Sequence, residues 1–318
     1  MIKEIKRKIY SISRDNKAIA RQYDKLTWYR RRFLLLVESD EKFAKRYYKK
    51  MTNRNLNLDN PQTFDDKLWF LKLHNRNPLL TQCSDKYAVR EYIKSCDLEF
   101  TLNELYGVWS DAGDIDFNQL PDTCFIKCNH VSGANIIYDR SKPFDKDDFI
   151  KRFNFILKQN YYVKSREWNY KDIAPKIIAE KVLRNKDGSL PFDYKFFCFN
   201  GEVKLAFIDV GVASESGSHA EDDEWQVYDL EFNPVDITIR VPSKISRHIS
   251  KPINWDRMIE YAEIISKPFE HCRVDFYNID GEVYFGEITF YHCGGCTMIS
   301  PEEWDLRLGS WINIDKYR

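Results

Sequence analysis

The segment Cys272–Phe290 reads C-R-V-D-F-Y-N-I-D-G-E-V-Y-F-G-E-I-T-F and carries the strongest structural signal in the sequence. Val, Phe, Tyr and Ile alternate with polar residues on both sides of Asp280-Gly281. This period of two is typical of β-strands, and Asp-Gly is a strong signal for a tight turn. The segment therefore predicts a β-hairpin.

Four polar residues of this hairpin can share one face if the turn has three residues, Ile279–Gly281. In that register we expect Asp275 to face Phe285 across the hairpin, and Arg273 to face Glu287. A two- or four-residue loop would put the two carboxylates on opposite faces. The polar set consists of Arg273, Asp275, Glu287 and Thr289.

Two neighbouring carboxylates on a rigid hairpin are suited to binding hard divalent cations. An adjacent Arg suits a site where phosphate oxygens meet those cations. The alternative is an exposed hairpin with one ordinary Arg–Glu pair, since antiparallel ribbons commonly have a polar face. Other segments of the chain decide between the two interpretations.

The composition indicates a large globular core and a strongly basic N-terminal segment. The chain has 318 residues, of which 43% are hydrophobic, and a formal net charge of zero. Residues 1–50 carry sixteen Lys or Arg and six Asp or Glu, a net charge of +10, so the remainder carries −10. This asymmetry indicates an anionic surface or partner at that end only, and we expect no nucleic-acid partner.

The basic segment predicts a helix, because Ile2, Ile5, Ile9 and Ile12 recur at helical spacing between Lys and Arg residues. Such a helix can lie at a membrane surface, or it can pack on its own domain or on a second subunit. There is no run of about 20 apolar residues that would span a bilayer. Eight scattered Cys residues are typical of reduced core cysteines, so we expect a cytoplasmic location, with peripheral contact at the inner face of the membrane as an option.

Periodicity predicts mixed helices and strands without regular βαβ alternation, which favours the α+β class. We expect Thr63–Asp66 to form a capping box and Asn200-Gly201 to form a hairpin turn. Ser300-Pro301 should begin a helix with Ser as the cap, and residues 213–224 should form a polar loop. Further helices are predicted over residues 64–74, 85–95, 145–159 and 255–267, and strands over 123–128, 136–138, 176–183, 194–199 and 203–210.

Three other segments carry candidate binding residues, although each alone is weak. Lys127 ends a buried strand before a small-residue loop whose backbone N–H groups can face phosphates. Glu180 ends another strand, where a carboxylate and exposed backbone can bind a base. Asp193 and Lys195 lie on one face of the next strand by period two. Neither a P-loop nor a Rossmann fingerprint is present.

The order of these parts resembles the ATP-grasp superfamily. Within this superfamily, the sequences of the motifs resemble those of the TupA-like proteins, which are named for teichuronopeptide synthesis and found with polysaccharide genes. The resemblance covers roughly residues 50–312 and rests on the motifs N-P-Q-T-F-D-D-K-L-W-F-L-K-L, D-K-Y-A-V-R-E-Y, K-C-N-H, I-I-A-E-K-V-L, D-Y-K-F-F-C-F-N-G-E and S-P-E-E-W-D.

The resemblance implies an ATP-grasp fold in which two α+β subdomains hold the nucleotide. The implied divisions are a basic helical extension (1–50), the N-terminal part of the core (51–121), a subdomain with a phosphate-covering loop (122–183) and a C-terminal subdomain with the metal site (184–318).

The resemblance also implies roles for individual residues. Those implied to bind ATP are Lys86, Lys127, the loop residues His130, Ser132 and Gly133, Glu180, Lys181, Val182, Asp193 and Lys204. Arg273, as a catalytic residue, would stabilise the acyl phosphate and the charge of the transition state, and Lys195, also placed among the catalytic residues, or Lys204 would lie near the γ-phosphate. Asp275, Glu287 and Thr289 would bind two Mg²⁺ ions. Thr289 departs from the Asn usual at the last metal position, and His292-Cys-Gly-Gly-Cys296 departs from the small Pro/Gly run that often follows.

The implied activity is ATP-dependent ligation of an amine or amino acid to a carboxylate of a surface or capsular polysaccharide precursor, through an acyl phosphate. Three alternatives stay open: a glycosyltransferase of polysaccharide synthesis, an ATP-grasp kinase that phosphorylates a sugar hydroxyl, and a nucleotide-binding scaffold without activity.

Overall fold

The computed structural model describes residues 17–210, 224–240, 245 and 249–318. The predicted helix through Ile2, Ile5, Ile9 and Ile12 and nearly all of the predicted 213–224 loop lie outside these residues. Within the described ranges no helix is long and apolar enough to cross a bilayer.

The described ranges contain nine α-helices. Two of them come from the basic N-terminal segment, and three more precede the first strand. The α-helices are α1 (Lys17–Val37), α2 (Asp40–Thr52), α3 (Phe64–His74), α4 (Pro78–Ser84), α5 (Val89–Ser95), α6 (Lys146–Leu157), α7 (Tyr161–Ser165), α8 (Trp255–Ser266) and α9 (Glu302–Ser310). Short 3₁₀ turns lie at Trp168–Tyr170 and His292–Gly294, among other places.

In the described part of the chain, ten strands form two separate antiparallel sheets, which confirms the predicted α+β class. The smaller sheet has the order β1-β4-β2-β3, and the larger has the order β10-β9-β5-β6-β7-β8. The strands are β1 (Leu105–Trp109), β2 (Thr123–Cys128), β3 (Asn135–Asp139), β4 (Ile177–Glu180), β5 (Asp193–Phe199), β6 (Glu202–Val210), β7 (Glu224–Tyr228), β8 (Pro234–Val235), β9 (His271–Ile279) and β10 (Glu282–Thr289).

Two hydrophobic cores accompany the two sheets. The smaller core lies between the four-stranded sheet and α6, with Phe149 and Phe153 buried. The larger core joins the six-stranded sheet to α8 and to the helices between residues 43 and 98. Strand β1 pairs with β4 in the small sheet, whereas the helices that precede it in the sequence pack on the large sheet. The four-part division of the chain stays a prediction.

The central hairpin is present, but its predicted register is wrong. Asp280 and Gly281 alone form the turn, both with positive φ, and Ile279 pairs with Glu282. The register then shifts at Gly286, where a β-bulge leaves Glu287 directly opposite Asp275. A two-residue turn alone would separate the carboxylates, and the bulge returns them to one face.

Other local predictions have mixed outcomes. The capping box of α3 is confirmed, because Thr63 accepts from the Asp66 N–H and the Asp66 side chain accepts from the Thr63 N–H. The Asn200-Gly201 turn is confirmed between β5 and β6. The predicted Ser cap of α9 is wrong: the Ser300 backbone pairs with Thr238, and no side chain of the described residues caps the helix.

The helix predicted over residues 85–95 begins four residues later, at Val89. Asp85 is the cause, because its carboxylate accepts from the backbone N–H groups of Tyr87 at 2.8 Å and Ala88 at 3.2 Å. This local turn competes with helix formation and sets Lys86 at a bend between α4 and α5.

Candidate active site

The candidate site lies on the polar face of the six-stranded sheet. Lys195 of β5 is directly opposite Asp275 of β9, which is in turn opposite Glu287 of β10. The alternate residues of these strands, among them Phe196 and Val274, are fully buried on the other face, where Phe196 contacts Trp255 of α8. Strand alternation thus separates a core face from a face of charged residues.

Arg273 is the centre of the polar cluster. Its guanidinium donates to both Asp275 oxygens, from Nε at 2.7 Å and from Nη2 at 2.5 Å. Nη2 also lies 3.4 Å from Glu287 Oε1 and 3.2 Å from Thr289 Oγ1. The four polar residues predicted from the sequence therefore meet in one hydrogen-bonded cluster.

The electrostatics of the two carboxylates differ. Burial raises the pKa of Asp275 to about 6, against the opposing effects of Arg273 and Lys195. Burial also acts to raise the pKa of Glu287, but Lys86, Arg273 and Lys195 together hold it below its ordinary value. Glu287 is the more open of the two, because 41% of its side-chain surface is exposed, compared with 5% for Asp275.

Lys195 is held beside Asp275 by two further carboxylates. Its Nζ lies 3.1 Å from Asp193 Oδ2 and 3.3 Å from Asp209 Oδ2. Burial opposes the charge of Lys195, but Asp193, Asp275 and Asp209 raise its pKa above the ordinary value. Lys195 is therefore a fixed cation on the polar face, and Asp209 is a member of the cluster that sequence analysis missed.

The structure does not bring Lys204 to this cluster. Lys204 falls at a register shift between β5 and β6, and its ammonium pairs with Glu202 at 2.5 Å. Its predicted role near the γ-phosphate has no support in this arrangement.

The predicted nucleotide residues of the smaller sheet cluster at the end of β4. Lys127 Nζ lies 2.6 Å from Glu180 Oε2, and Arg90 lies 3.7 Å from Glu180 Oε1. The Lys181 backbone donates to the Glu104 carbonyl and accepts from the Asn103 side chain. Val182 follows directly, outside the strand. Glu180 is thus already paired with two cations, and Arg90 was not expected there.

The predicted phosphate loop is anchored at one end and open at its tip. His130 is buried, with its ring nitrogens 3.2 Å from Asn129 Oδ1 and 3.2 Å from the Ile156 carbonyl, and burial lowers its pKa. Ser132 and Gly133 are exposed. Gly133 has a φ of +80°, and a Cβ added there would meet no atom of the described residues within 4 Å. The geometry makes His130 an anchor and leaves the loop tip accessible.

Lys86 lies at the bend between α4 and α5 and is bonded to the predicted phosphate loop. Its Nζ donates to the Val131 carbonyl at 3.1 Å, and Asn129 donates to Asp85 at 2.8 Å, which ties the bend at Lys86 to the loop after β2. Burial lowers the pKa of Lys86, while Glu287 of the larger sheet is the strongest influence that raises it. Lys86 is thus bonded to the predicted phosphate loop and lies close enough to Glu287 for the two charges to influence each other.

Two more residue sets near the cluster were missed. His292 is buried, and its Nδ1 lies 2.6 Å from Arg273 Nη1. Lys72 and Glu167 are buried charged residues beside the turn that follows β10. Lys72 donates to the Gly294 carbonyl at 2.9 Å. Burial lowers the pKa of Lys72 to about 8, and the charge of Glu167 opposes this effect. The only sequence signal for His292 was its departure from the expected Pro/Gly run.

The donors of the hairpin fit a magnesium ion that is shared with a phosphate ligand. Asp275, Glu287 and Thr289 supply hard oxygen ligands from adjacent strand positions. Among the described residues no group of three or more His, Cys, Asp or Glu side chains forms a ready metal cage. Mg²⁺ commonly takes one or two carboxylates and completes its shell with phosphate oxygens and water, so two carboxylates suffice.

The fold consists of two separate antiparallel sheets, and the larger sheet places Asp275 and Glu287 beside Lys195. The family model described as TupA-like ATPgrasp matches residues 66–313. The chain therefore belongs to the TupA-like ATP-grasp family, as the sequence motifs predicted. Comparison with curated protein sequences found no match.

Solved structures with a similar fold include three ligases. The D-alanine–D-alanine ligase from Bacillus anthracis, complexed with ATP, is 16% identical; the match covers 67% of this chain and 58% of that one, with a TM-score of 0.38. The D-alanine–D-alanine ligase from Helicobacter pylori is 11% identical over 80% of this chain and 67% of that one, with a TM-score of 0.42. The L-amino acid ligase from Bacillus licheniformis is 11% identical over 67% and 44%, with a TM-score of 0.41. The match with the Bacillus anthracis ligase spans less than two thirds of that enzyme.

Proposed function

We propose that this protein is an ATP- and Mg²⁺-dependent carboxylate–amine ligase. The observation that carries the proposal is the cluster of Arg273, Asp275 and Glu287 beside Lys195. Lys86 helps to hold the pKa of Glu287 below its ordinary value. Phosphoryl transfer needs mainly positioning and charge neutralisation, which fixed cations and metal-binding carboxylates supply.

In this proposal ATP lies between the two sheets. Lys86 and Lys127 contact its phosphates, the loop with Ser132 and Gly133 covers them, and the Lys181–Val182 backbone lies along the adenine. Glu180 already binds Lys127 and Arg90, but each carboxylate has about four acceptor directions, so a further bond to the adenine amino group is compatible. Asp193 faces the ribose or the acceptor.

The metal would be held by Asp275 and Glu287, with the Thr289 hydroxyl as a weaker third ligand. When bound, Mg²⁺ neutralises phosphate charge and orients the γ-phosphoryl group. We propose a site for two ions. Arg273 already donates to Asp275, Glu287 and Thr289, so it lies where it can also contact a phosphate held by those residues.

The proposed reaction has two balanced steps. A carboxylate oxygen of the first substrate attacks the γ-phosphorus, the bond to the β-phosphate oxygen breaks, and ADP leaves. The amine of the second substrate then attacks the acyl carbonyl, the carbon–oxygen bond to phosphate breaks, and the proton that the amine loses passes to the departing phosphate as the amide forms. Arg273 and Lys195 stabilise the negative charge in both steps.

We propose that the carboxylate belongs to a surface-polysaccharide precursor, such as a uronic acid or a growing peptide, and that the amine is an amino acid or a related amine. This substrate class is supported by the resemblance to the TupA-like branch. We also propose a cytoplasmic location, where ATP is available.

The test is ATP turnover with Mg²⁺ against a panel of amines and uronate-bearing sugars, with ADP and free phosphate measured together. We expect equal amounts of ADP and phosphate, dependent on both an amine and a carboxylate. Glu287→Gln should abolish turnover, whereas Glu282→Gln, an exposed change in the same hairpin, should leave it unchanged.

Two outcomes would contradict the ligase. ADP without free phosphate would identify a kinase. This alternative stays open because Thr289 replaces the Asn that is usual at the last metal position. Sugar transfer without ATP would identify a glycosyltransferase.

A further inference from the structure

Helix α1 carries an apolar stripe on its outer side. Leu26, Tyr29, Phe33 and Leu36 are 68%, 62%, 62% and 82% exposed, and they recur at spacings of three and four residues. At about 100° per residue these positions cover an arc of roughly 80° on the helix. Four large apolar side chains in one stripe form a contiguous patch rather than scattered surface residues.

The opposite side of α1 is attached to the body of the protein. Trp28 is 9% exposed, and Arg166, which is almost fully buried, lies with Nη2 3.5 Å from the Leu34 carbonyl. The helix also packs against α7. The orientation of α1 is therefore fixed by its inner side, and the outer stripe is directed away from the core.

Basic residues border the stripe on both sides. Arg30 and Arg32 are exposed, and each lies about 40° beyond one edge of the stripe on the helical wheel. An apolar stripe between Arg residues is the arrangement of a helix that lies in a membrane interface, with its apolar side in the acyl region and its basic side chains among the headgroups.

The charge of the chain favours an anionic membrane over a second copy of this helix. Residues 1–50 contain sixteen basic and six acidic residues, a net charge of +10. Because the whole chain has 49 of each, the remainder has a net charge of −10. Two copies of α1 packed through their stripes would bring four or more Arg side chains together, which is unfavourable. An anionic bilayer attracts this end and repels the remainder.

We propose that the outer stripe of α1, formed by Leu26, Tyr29, Phe33 and Leu36, docks the protein on an anionic lipid surface. The stripe inserts at the interface while Arg30 and Arg32 contact lipid phosphates. Adsorption requires neither ATP nor turnover, so this proposal stands apart from the ligase proposal.

The test is co-sedimentation of the full chain with vesicles of phosphatidylcholine alone or mixed with phosphatidylglycerol. We expect binding to the mixed vesicles only. The double variant Phe33→Ser with Leu36→Ser should bind at least about tenfold more weakly, because it removes apolar area from the inserted side. Arg30→Gln with Arg32→Gln should bind roughly 25-fold more weakly, since each basic side chain near an anionic surface is worth about fivefold.

The matched control is Ile253→Ser, which removes a 99% exposed apolar side chain outside α1 and should bind like the parent chain. Thermal melting establishes that each variant is folded. Absence of binding by the parent chain would overturn the proposal. Binding of the Phe33/Leu36 variant as strong as that of the parent chain would also overturn it, because adsorption would then depend on charge alone. A dimer in sedimentation velocity that the Phe33/Leu36 variant loses, without vesicle binding, would assign the stripe to a second copy instead.

Discussion

Arg273 contacts His292 through Nη1, the guanidinium nitrogen that does not bind Asp275. The 2.6 Å contact between Arg273 Nη1 and His292 Nδ1 requires that nitrogen to be the acceptor, so the ring proton lies on Nε2. Burial and the neighbouring Arg273 lower the pKa of His292, which keeps the ring neutral. Cys293 Sγ lies 3.5 Å from Nε2 on the other side. His292 is therefore a positioning residue for the guanidinium.

We expect His292→Phe to lower kcat for ATP turnover roughly 30- to 100-fold, because a buried charged donor left without an acceptor costs about 2–3 kcal/mol. The KM for ATP should change little, since the lysines of the other sheet are untouched. Steady-state kinetics of ADP release measures both values.

His292→Asn is the matched variant, because its side-chain oxygen can accept from Arg273 and should recover most of kcat. Equal loss in the Phe and Asn variants, or a change in KM alone, would show that His292 has no positioning role.

At the scale of the element, the β9–β10 hairpin shows what could be predicted from the sequence. Alternation identified both strands and Asp280-Gly281 located the turn, but the turn has two residues rather than the predicted three, and the polar residues share a face because of the bulge. The bulge at Gly286 was not predicted, because the alternation of the sequence treats Gly286 as an ordinary strand residue. A side chain at Gly286 would place its first carbon 3.0 Å from the Asp275 carbonyl oxygen, a tertiary contact that no local pattern contains.

The bulge makes Gly286 essential to the carboxylate pair. We expect Gly286→Ala to lower turnover more than tenfold and the free energy of unfolding by about 1–2 kcal/mol, because the added carbon pushes against the Asp275 backbone. Activity assays and denaturant unfolding measure the two effects. The control is Gly113→Ala, whose added carbon would meet only the flexible Asp111 carboxylate at 3.1 Å. Parent-like activity in Gly286→Ala would mean that the bulge does not set the site.

The same limit explains the other site differences. Asp209 lies in a strand whose neighbouring residues are apolar, so the sequence pattern indicates only a core strand there. The family resemblance implies a site role for Lys204, but Lys204 lies at a second bulge between β5 and β6 and pairs with Glu202. His292 contacts a residue nineteen positions earlier, and only the folded sheet brings the two together. Residue types and order were predictable, whereas contacts set by bulges and turns were not.

In the molecule as a whole, the two sheets have separate hydrophobic cores, and each sheet has its own group of charged residues. Lys86 and Lys127 lie on one side, and Glu287, Asp275 and Arg273 lie on the other. A polyphosphate with its metal is the ligand that would satisfy both sides at once. Binding should therefore stabilise the whole protein.

We expect Mg²⁺ with a non-hydrolysable ATP analogue to raise the melting temperature by roughly 3–6 °C at saturating concentration. Mg²⁺ alone should shift it by less than about 1 °C, because Arg273 engages the carboxylates and phosphate must complete the metal shell. Differential scanning fluorimetry measures both shifts, and Glu287→Gln should lose most of the response. An equal rise with Mg²⁺ alone would contradict this account.

Helix α3 is fastened to residues near the far end of the chain. Asp65 accepts from the Thr297 N–H at 2.9 Å, the Phe64 N–H donates to Asp305 at 3.0 Å, and Lys67 donates to the Ile312 carbonyl at 2.7 Å. During synthesis, Asp65 leaves the ribosome 232 residues before its partner Thr297. At about 5–20 residues per second that interval is roughly 10–50 s. Throughout it, Asp65, the Phe64 N–H and the Lys67 ammonium lack these partners and only the local capping box is available, so this helix is among the last parts of the protein to reach its final environment.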